Sequence, residues 1–258
     1  MIVGSLDITE HVVLLLVSLI ANALSAMAGG GAGLLQLPAL IFMGLPFPLA
    51  LATHKIATVA LGIGATFKHA KEGNTQLQFA LLMLLAGLPG VILGANTILV
   101  IHPRTAQVSL GILTIGLGIY SIFKRTFGQI EDIKHRNKFG FICGALGLFA
   151  LGFLNGSLTS GTGLFVTMWL IVWFGFNFKQ ATAYTMILVG IFWNGTGALT
   201  LSLQSPVKWD WLPMLLVGSL LGGYLGALMS VRYGNRLIKH VFETITIFVG
   251  IALIAKSL

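Results

Sequence analysis

The chain alternates between long apolar runs and short polar breaks, and the apolar runs carry almost no charge. Apolar segments lie at about 10–28, 33–44, 48–69, 77–98 and 104–124, and again at 139–158, 163–174, 178–203, 209–231 and 235–257. Apolar residues fill these runs, whereas on a soluble amphipathic helix they recur with polar residues between them. Runs of about 20 apolar residues are typical of membrane-spanning helices. The pattern therefore predicts an all-α integral membrane protein.

Composition and charge agree with a membrane class. Only 9% of the residues are charged, against about 25% in soluble domains. The net charge of +8 does not indicate a nucleic-acid partner, because the basic residues lie between the apolar runs and form no single patch. The first residues carry Asp7 and Glu10 and no Lys or Arg, so we expect no cleavable signal peptide. Cys143 lies in an apolar run and is expected to be an inert thiol.

The two halves of the chain resemble each other in segment order, in segment length and in single residues. GGGAGLLQLPALIFMG at 29–44 aligns with TSGTGLFVTMWLIVWFG at 159–175. The later aligned pairs are 50–52 with 181–183, Gly90 with Gly222, Gly94 with Gly226, Gly118 with Gly250, and Lys124 with Lys256. Chance matches come easily with 33 glycines, but agreement in order and length favours a repeat. We predict a first repeat at 1–124, a basic cytoplasmic linker at 125–138 and a second repeat at 139–258.

The basic residues between the runs predict how the repeats are oriented. Cytoplasmic loops are enriched in Lys and Arg, so the basic linker is placed inside. Alternating sides from there places most of the 15 Lys and Arg inside and both chain ends outside. Each half then crosses the membrane an odd number of times, whether it has five full spans or three spans plus a re-entrant pair. Inverted-topology repeats of this kind are typical of secondary transporters.

The second apolar segment of each half is too short to cross a bilayer as a helix. Residues 33–44 span about 18 Å at about 1.5 Å per residue, against a hydrocarbon core of about 30 Å, and 163–174 is equally short. Each follows a break, GGGAG at 29–33 and TSGTG at 159–163. Backbone leaves a helix within the membrane only around a lined cavity, and helix N-termini attract anions. Glycines that merely let helices pack closely are the alternative, but matching breaks in both halves favour a ligand site.

Polar residues open the segments that follow the breaks. ALATHKIA holds Thr53, His54 and Lys55, and ATAYTM holds Tyr184 and Thr185. An ionisable residue within a span is costly and by default indicates a function. Lys55 either supplies a fixed positive charge for an anion or extends its ammonium to the interface. His54 either titrates near neutral pH or makes a structural hydrogen bond.

Asparagines and one carboxylate also lie within the apolar runs. Asn22, Asn155 and Asn194 either line the pocket or only bond a neighbouring helix. Of the seven carboxylates, only Glu243 looks intramembrane, and a local pair with Lys239 explains it better than a proton relay with His240. This shortage argues against a transporter of Na⁺ or divalent cations. The sequence also holds no catalytic set and no metal cluster that would indicate an enzyme, and we expect no cofactor.

Several motifs are shared with one known family. They are the glycine cluster at 29–33, Pro38, Gly44 with Pro46, the stretch ATHK at 52–55, and GSLTSGTGLFVTMWLIVWFGFNFKQATAYT at 156–185. Through these motifs, the chain resembles the sulfite exporter TauE/SafE family over essentially its whole length, the basic linker included. The resemblance implies a multi-pass inner-membrane permease for sulfite, sulfonates or related sulfur-containing anions. The chain departs from the family pattern in three places. Its second break has fewer glycines, and no Pro follows that break at the position equivalent to Pro38. His54 stands where the family commonly has Asn or Ser.

Together these observations predict about eight to ten membrane segments in two inverted repeats with broken or re-entrant helices. The expected function is secondary transport of a small anion by alternating access; an anion pore, a carrier of another small organic anion and a binding protein without transport are the alternatives. The expected partners are the anion and the lipid bilayer, and the oligomeric state stays open, a homodimer included. The predicted substrate-binding residues are Gly29, Gly30, Gly31, Gly33, Thr53, His54, Lys55, Ser160, Gly161, Thr162, Gly163, Tyr184 and Thr185.

Overall fold

The computed structural model describes residues 8–69, 76–97, 103–123, 127–158 and 161–257. The helices of the first half are α1 (Ile8–Ala28), α2 (Ala32–Phe42), α3 (Phe47–His69), α4 (Leu77–Thr97) and α5 (Pro103–Phe123). Those of the second half are α6 (Lys138–Ser157), α7 (Thr162–Phe174), α8 (Phe178–Tyr184), a π-helix (Thr185–Trp193), α9 (Asn194–Ser202), a 3₁₀ turn (Trp209–Trp211) and α10 (Leu212–Ser257). The predicted all-α class is confirmed.

Six helices in the described part of the chain are long and apolar enough to cross a membrane. They are Ile8–Ala28, Phe47–His69, Leu77–Thr97, Lys138–Ser157, Phe178–Ser202 and Trp209–Ala252. The last of these is bent at Gly234, where φ of 73° and ψ of −168° leave the helical region. Gly234 therefore separates the two apolar segments predicted at 209–231 and 235–257. As predicted, α2 and α7 are short, with 11 and 13 residues.

The surface and the interior of the bundle are both largely apolar, as a bilayer requires. Large side chains such as Leu16, Leu85, Leu146 and Phe248 are exposed on the outside of the helices. Because lipid is as apolar as these side chains, the helices are held together by close packing and interhelical hydrogen bonds rather than by exclusion from water. One buried cluster joins α1–α3 to the start of α10, and a second joins α4 to α6, α7 and α8.

Glycines bring the helices into backbone contact at matching places in the two halves. Gly222 and Gly226 of α10 face carbonyl oxygens of α1, and Gly90 and Gly94 of α4 face carbonyl oxygens of α6. The carbonyl contacts are Gly222 with Leu19, Gly226 with Ala23, Gly90 with Phe149 and Gly94 with Phe153, whereas Gly118 faces the side chains of Thr246 and Ile247, and Gly250 faces the Ile115 side chain and the carbonyl of Gly111. Two copies related by a two-fold axis would make such contacts. The repeat and the opposite orientation of its copies stay predictions.

The described part of the predicted linker, residues 127–137, packs on the second half. The backbone N–H of Asp132 donates to the carbonyl of Gly175 over 2.8 Å, and the N–H of Phe178 donates to the carbonyl of Gly128 over 2.7 Å. These bonds tie the linker to the end of α7 and the start of α8. The polar stretch is therefore an ordered part of the second half at this end of the molecule.

Candidate functional site

The two breaks meet in the interior of the bundle. Gly31 caps the start of α2 with φ of 102°, and Gly161 caps the start of α7 with φ of 73°. Both conformations are left-handed, which explains glycine at each cap. Neither cap makes a side-chain hydrogen bond to its helix. The backbones of Gly30 and Gly163 touch, since a Cβ on Gly163 would lie 2.9 Å from the Cα of Gly30.

A small cavity lies at this junction. Its volume is about 30 Å³, which is room for about one or two water molecules. Seven of the predicted site residues line it: Gly30, Gly31, Gly33, His54, Thr162, Gly163 and Thr185. Polar side chains from four more positions complete the lining: Ser25, Thr58, Asn155 and Asn194. The cavity therefore lies where both breaks meet α3.

Gly29 and Gly161 lie beside the cavity without lining it. The carbonyl of Gly29 accepts a hydrogen bond from the Thr167 hydroxyl over 2.6 Å, which ties the first break to α7. Gly161 forms the α7 cap described above. Ser160, also predicted as a site residue, lies outside the described residues, as does its neighbour Thr159.

Lys55 is fully buried and does not extend to the membrane surface. Its Nζ donates to Asn155 Oδ1 over 2.7 Å and to Asn194 Oδ1 over 3.1 Å. Asn155 Nδ2 in turn donates to the Thr162 hydroxyl over 2.9 Å. Lys55 does not line the cavity itself, and because a lysine only donates, both amide oxygens face its ammonium. A cation from α3 therefore orients two amides of the second half.

His54, the neighbour of Lys55, faces the first half. Its Nδ1 lies 2.9 Å from Gln36 Oε1, and Gln36 Nε2 donates to the Ser18 hydroxyl over 3.0 Å. All three side chains are completely buried. His54 Nε2 and the Ser25 hydroxyl are buried and have no hydrogen-bond partner among the described residues, and both residues line the cavity. Since buried polar atoms are normally paired, these two atoms point to a ligand.

Thr53 and Tyr184, both predicted as site residues, do not line the cavity. The Thr53 hydroxyl donates to the carbonyl of Leu49 over 2.7 Å and accepts from the backbone N–H of Lys208. The Tyr184 hydroxyl contacts the backbone of Gln76 at the start of α4, and its ring is stacked on Phe176. Both stand on helix faces turned away from the junction, where they join neighbouring segments.

A π-helix between α8 and α9 forms one wall of the cavity. Its nine residues, Thr185–Trp193, are wound more widely than an α-helix. Thr185 and Gly190, which are five residues apart, both line the cavity together with Asn194 at the start of α9. Gly190 also touches α3, because a Cβ there would lie 2.9 Å from the Cα of Gly62. The apolar pattern at 178–203 does not predict this winding.

Within the part of the chain that the structure describes, no carboxylate lines the cavity. Glu243, which is on α10, lies 3.6 Å from the ammonium of Lys239 and accepts from the Ser121 hydroxyl over 2.9 Å. The predicted local pair of Glu243 with Lys239 is confirmed. Among the described residues, no cluster of three or more His, Cys, Asp or Glu could hold a metal ion. The site therefore offers backbone N–H groups, hydroxyls, amides and one imidazole, near a buried lysine.

Comparison with known proteins decides the family. The family described as "Sulfite exporter TauE/SafE" matches residues 14–253. The chain belongs to this family. It is therefore a multi-pass membrane protein of a transporter family, as the resemblance implied. No solved structure matches the chain.

Three relatives of the TauE/SafE protein are similar in sequence over most of the length of both chains. A "Probable membrane transporter protein ORF9" of Sinorhizobium is 27% identical over 96% of this chain and 95% of its own length. A "Probable membrane transporter protein" of Haemophilus influenzae is 30% identical over 88% of both chains. The "Probable membrane transporter protein YfcA" of Escherichia coli is 27% identical over 95% of this chain and 90% of its own.

Proposed function

We propose that this transporter carries small anions, with sulfite, sulfonates and related sulfur-containing anions as the substrate class, and that they bind at the junction of α2 and α7. The observation that carries the proposal is the pair of helix N-termini meeting at a buried cavity. A helix N-terminus favours negative charge, because its first N–H groups have no partner within the helix. Two such ends converge here, and no carboxylate opposes them in the lining.

The side chains around the junction suit an oxyanion. Ser25 and Thr162 bring hydroxyls to the cavity, and the amides of Asn155 and Asn194 are turned by Lys55 so that their oxygens face the ammonium. Oxyanions are recognised by several converging donors rather than by one ion pair. Lys55 adds a positive charge one side chain behind this wall, in an interior that screens charges poorly. The arrangement favours anions over cations and over neutral solutes.

The size of the cavity favours a carrier over an open pore. A volume of about 30 Å³ is too small for an anion of several heavy atoms, since it holds about one or two water molecules. An anion can enter only if the two helix starts separate. A site that is closed in one conformation and opened by movement of one half against the other fits alternating access. We place the carrier in the inner membrane of a bacterial or archaeal cell, as the family resemblance implies.

A ligand screen followed by a flux measurement tests this proposal. Purified protein is screened by thermal shift against sulfite, sulfate, thiosulfate, methanesulfonate and acetate, because a ligand of the folded state raises its stability. We expect sulfur oxyanions to raise the melting temperature and matched cations to have no effect. Proteoliposomes should then show saturable flux and counterflow of the stabilising anion. Flux without saturation or counterflow would favour the pore, and binding without flux would favour a sensor.

A further inference from the structure

The hydrogen-bond chain behind His54 determines which ring nitrogen carries its proton. The chain begins at the backbone carbonyl of Leu215, which can only accept, and the Ser18 hydroxyl donates to it over 2.7 Å. With its hydrogen used, the Ser18 oxygen accepts from Gln36 Nε2 over 3.0 Å. The Gln36 amide is thereby oriented with Oε1 toward His54, 2.9 Å from Nδ1. His54 must therefore donate from Nδ1.

This assignment leaves a lone pair facing the cavity. A neutral imidazole carries one N–H, and here it is held at Nδ1, so Nε2 is an acceptor. Nε2 is buried, has no partner, and belongs to a residue that lines the cavity. An anion oxygen is also an acceptor, and two acceptors cannot bond to each other. A proton is needed between them.

We propose that the anion binds at this site together with one proton, which bridges His54 Nε2 and an oxygen of the anion. The inference rests on the proposed function. For an anion that has no proton of its own, the proton comes from solution and forms an N–H bond at Nε2. For a protonated anion, the existing O–H donates to Nε2. No electrons are exchanged. A monoanion that binds with a proton from solution crosses the membrane with its charge compensated, whereas a monoanion that supplies its own O–H keeps its net charge.

The surroundings of His54 leave few other sources for this proton. The other polar side chains that reach the cavity or His54 itself are hydroxyls and amides: Ser25, Gln36, Thr58, Asn155, Thr162, Thr185 and Asn194. The segment of α10 that packs on α1 contributes the hydroxyl of Ser219 to the chain behind Gln36. Among the described residues near the cavity, Lys55 is the other titratable group. As an ammonium, Lys55 has no lone pair to accept a further proton, so His54 is the acceptor that the described residues provide.

Calorimetry of the full-length protein tests the proposal. Binding of methanesulfonate, and of sulfite at alkaline pH where free sulfite carries no proton, is measured in buffers of different ionisation enthalpy. We expect an uptake of about one proton per anion, and above neutral pH an affinity that falls about tenfold per pH unit, as linkage requires for one proton. Binding of either probe without proton uptake would overturn the inference and leave the proposed function intact. If neither probe binds, both fall.

Three variants locate the proton. In His54→Gln the side-chain amide can donate to the anion directly, so binding should persist with no proton uptake. In Gln36→Leu the hold on Nδ1 is lost and His54 can donate from Nε2 while neutral, so uptake should fall toward zero. His240→Gln changes an exposed histidine of α10 and should keep the wild-type uptake. Proton uptake retained in folded His54→Gln would assign the proton to a group other than His54 and contradict the proposal.

Discussion

Two neighbouring residues of α3, His54 and Lys55, face different sides of the cavity and are hydrogen-bonded differently. His54 turns toward the first half, where a neutral chain through Gln36 and Ser18 leaves one of its nitrogens unpaired in the cavity. Lys55 turns toward the second half, where Asn155 and Asn194 accept both of its described hydrogen bonds. The cationic side is internally satisfied, whereas the neutral side is not. We therefore expect the neutral side to contact the proposed anion and the cationic side to set the electrostatic potential.

Removing the cation should have the largest effect. Lys55→Met deletes the positive charge and removes the donor to the buried Asn155 Oδ1, which costs about 1–3 kcal/mol if that oxygen stays unpaired. We expect anion affinity to fall about tenfold or more, equivalent to about 1.4 kcal/mol, together with a lower melting temperature. Lys68→Met, on the last turn of the same helix, is the matched control. Unchanged affinity in folded Lys55→Met would remove the lysine from the account of binding.

The junction between the two sides should be nearly as sensitive. A Cβ at Gly163 would lie 2.9 Å from the Cα of Gly30, and neither backbone can yield without moving a helix start. Gly163→Ala should cost about 1–3 kcal/mol of stability and reduce flux several-fold in proteoliposomes. Gly116→Ala is the control, because a Cβ there meets nothing within 4 Å. Wild-type flux in Gly163→Ala would show that the helix starts need not approach each other.

On the neutral side, one substitution should change stability and binding in opposite directions. The Ser25 hydroxyl is buried without a partner, and such a group costs about 1–3 kcal/mol. Ser25→Ala should therefore raise the melting temperature of the free protein. If the hydroxyl bonds the anion, affinity should fall about two- to tenfold, the value of a neutral hydrogen bond. A stabilised variant with wild-type affinity would show that Ser25 does not contact the ligand.

The smallest effect on anion affinity is expected from Tyr184, which lies on neither side of the cavity. Tyr184→Phe removes the hydroxyl that contacts the backbone of Gln76, far from the lining of the cavity. Stability should fall by about 1 kcal/mol, a typical hydrogen bond, while anion affinity stays within about twofold, well under 1.4 kcal/mol. A large loss of affinity, measured by the same calorimetry, would mean that the anion also contacts the α8 face that Tyr184 occupies.

The positions of the two helix breaks could be predicted from the sequence, but which face of each helix is turned toward the cavity could not. Gly31 and Gly161 were found because short segments and glycine clusters are local features. Thr53 and Tyr184 were chosen for their place at the start of a segment. In a membrane bundle, lipid and protein interior are equally apolar, so periodicity does not show which face is turned inward.

Long-range pairing explains the residues that were overlooked. Gln36 is a single polar residue in a short apolar helix, and its meaning appears only through His54, which is 18 positions away. Lys55 finds its partner Asn155 100 positions further along the chain. The π-helix at Thr185–Trp193 is likewise set by packing, since Gly190 meets Gly62 and Trp193 donates to the carbonyl of Met83 over 3.1 Å. None of these contacts follows from local sequence.

The most direct test of the central claim is to locate a bound anion. Selenite is sulfite with selenium in place of sulfur, and its anomalous scattering marks its position in a crystal of the full-length protein. We predict one strong peak between the starts of α2 and α7, within hydrogen-bond reach of the Ser25 hydroxyl and His54 Nε2, with Gly30 and Gly163 further apart than in the closed cavity. A protein that transports sulfite while selenite binds elsewhere would contradict the account.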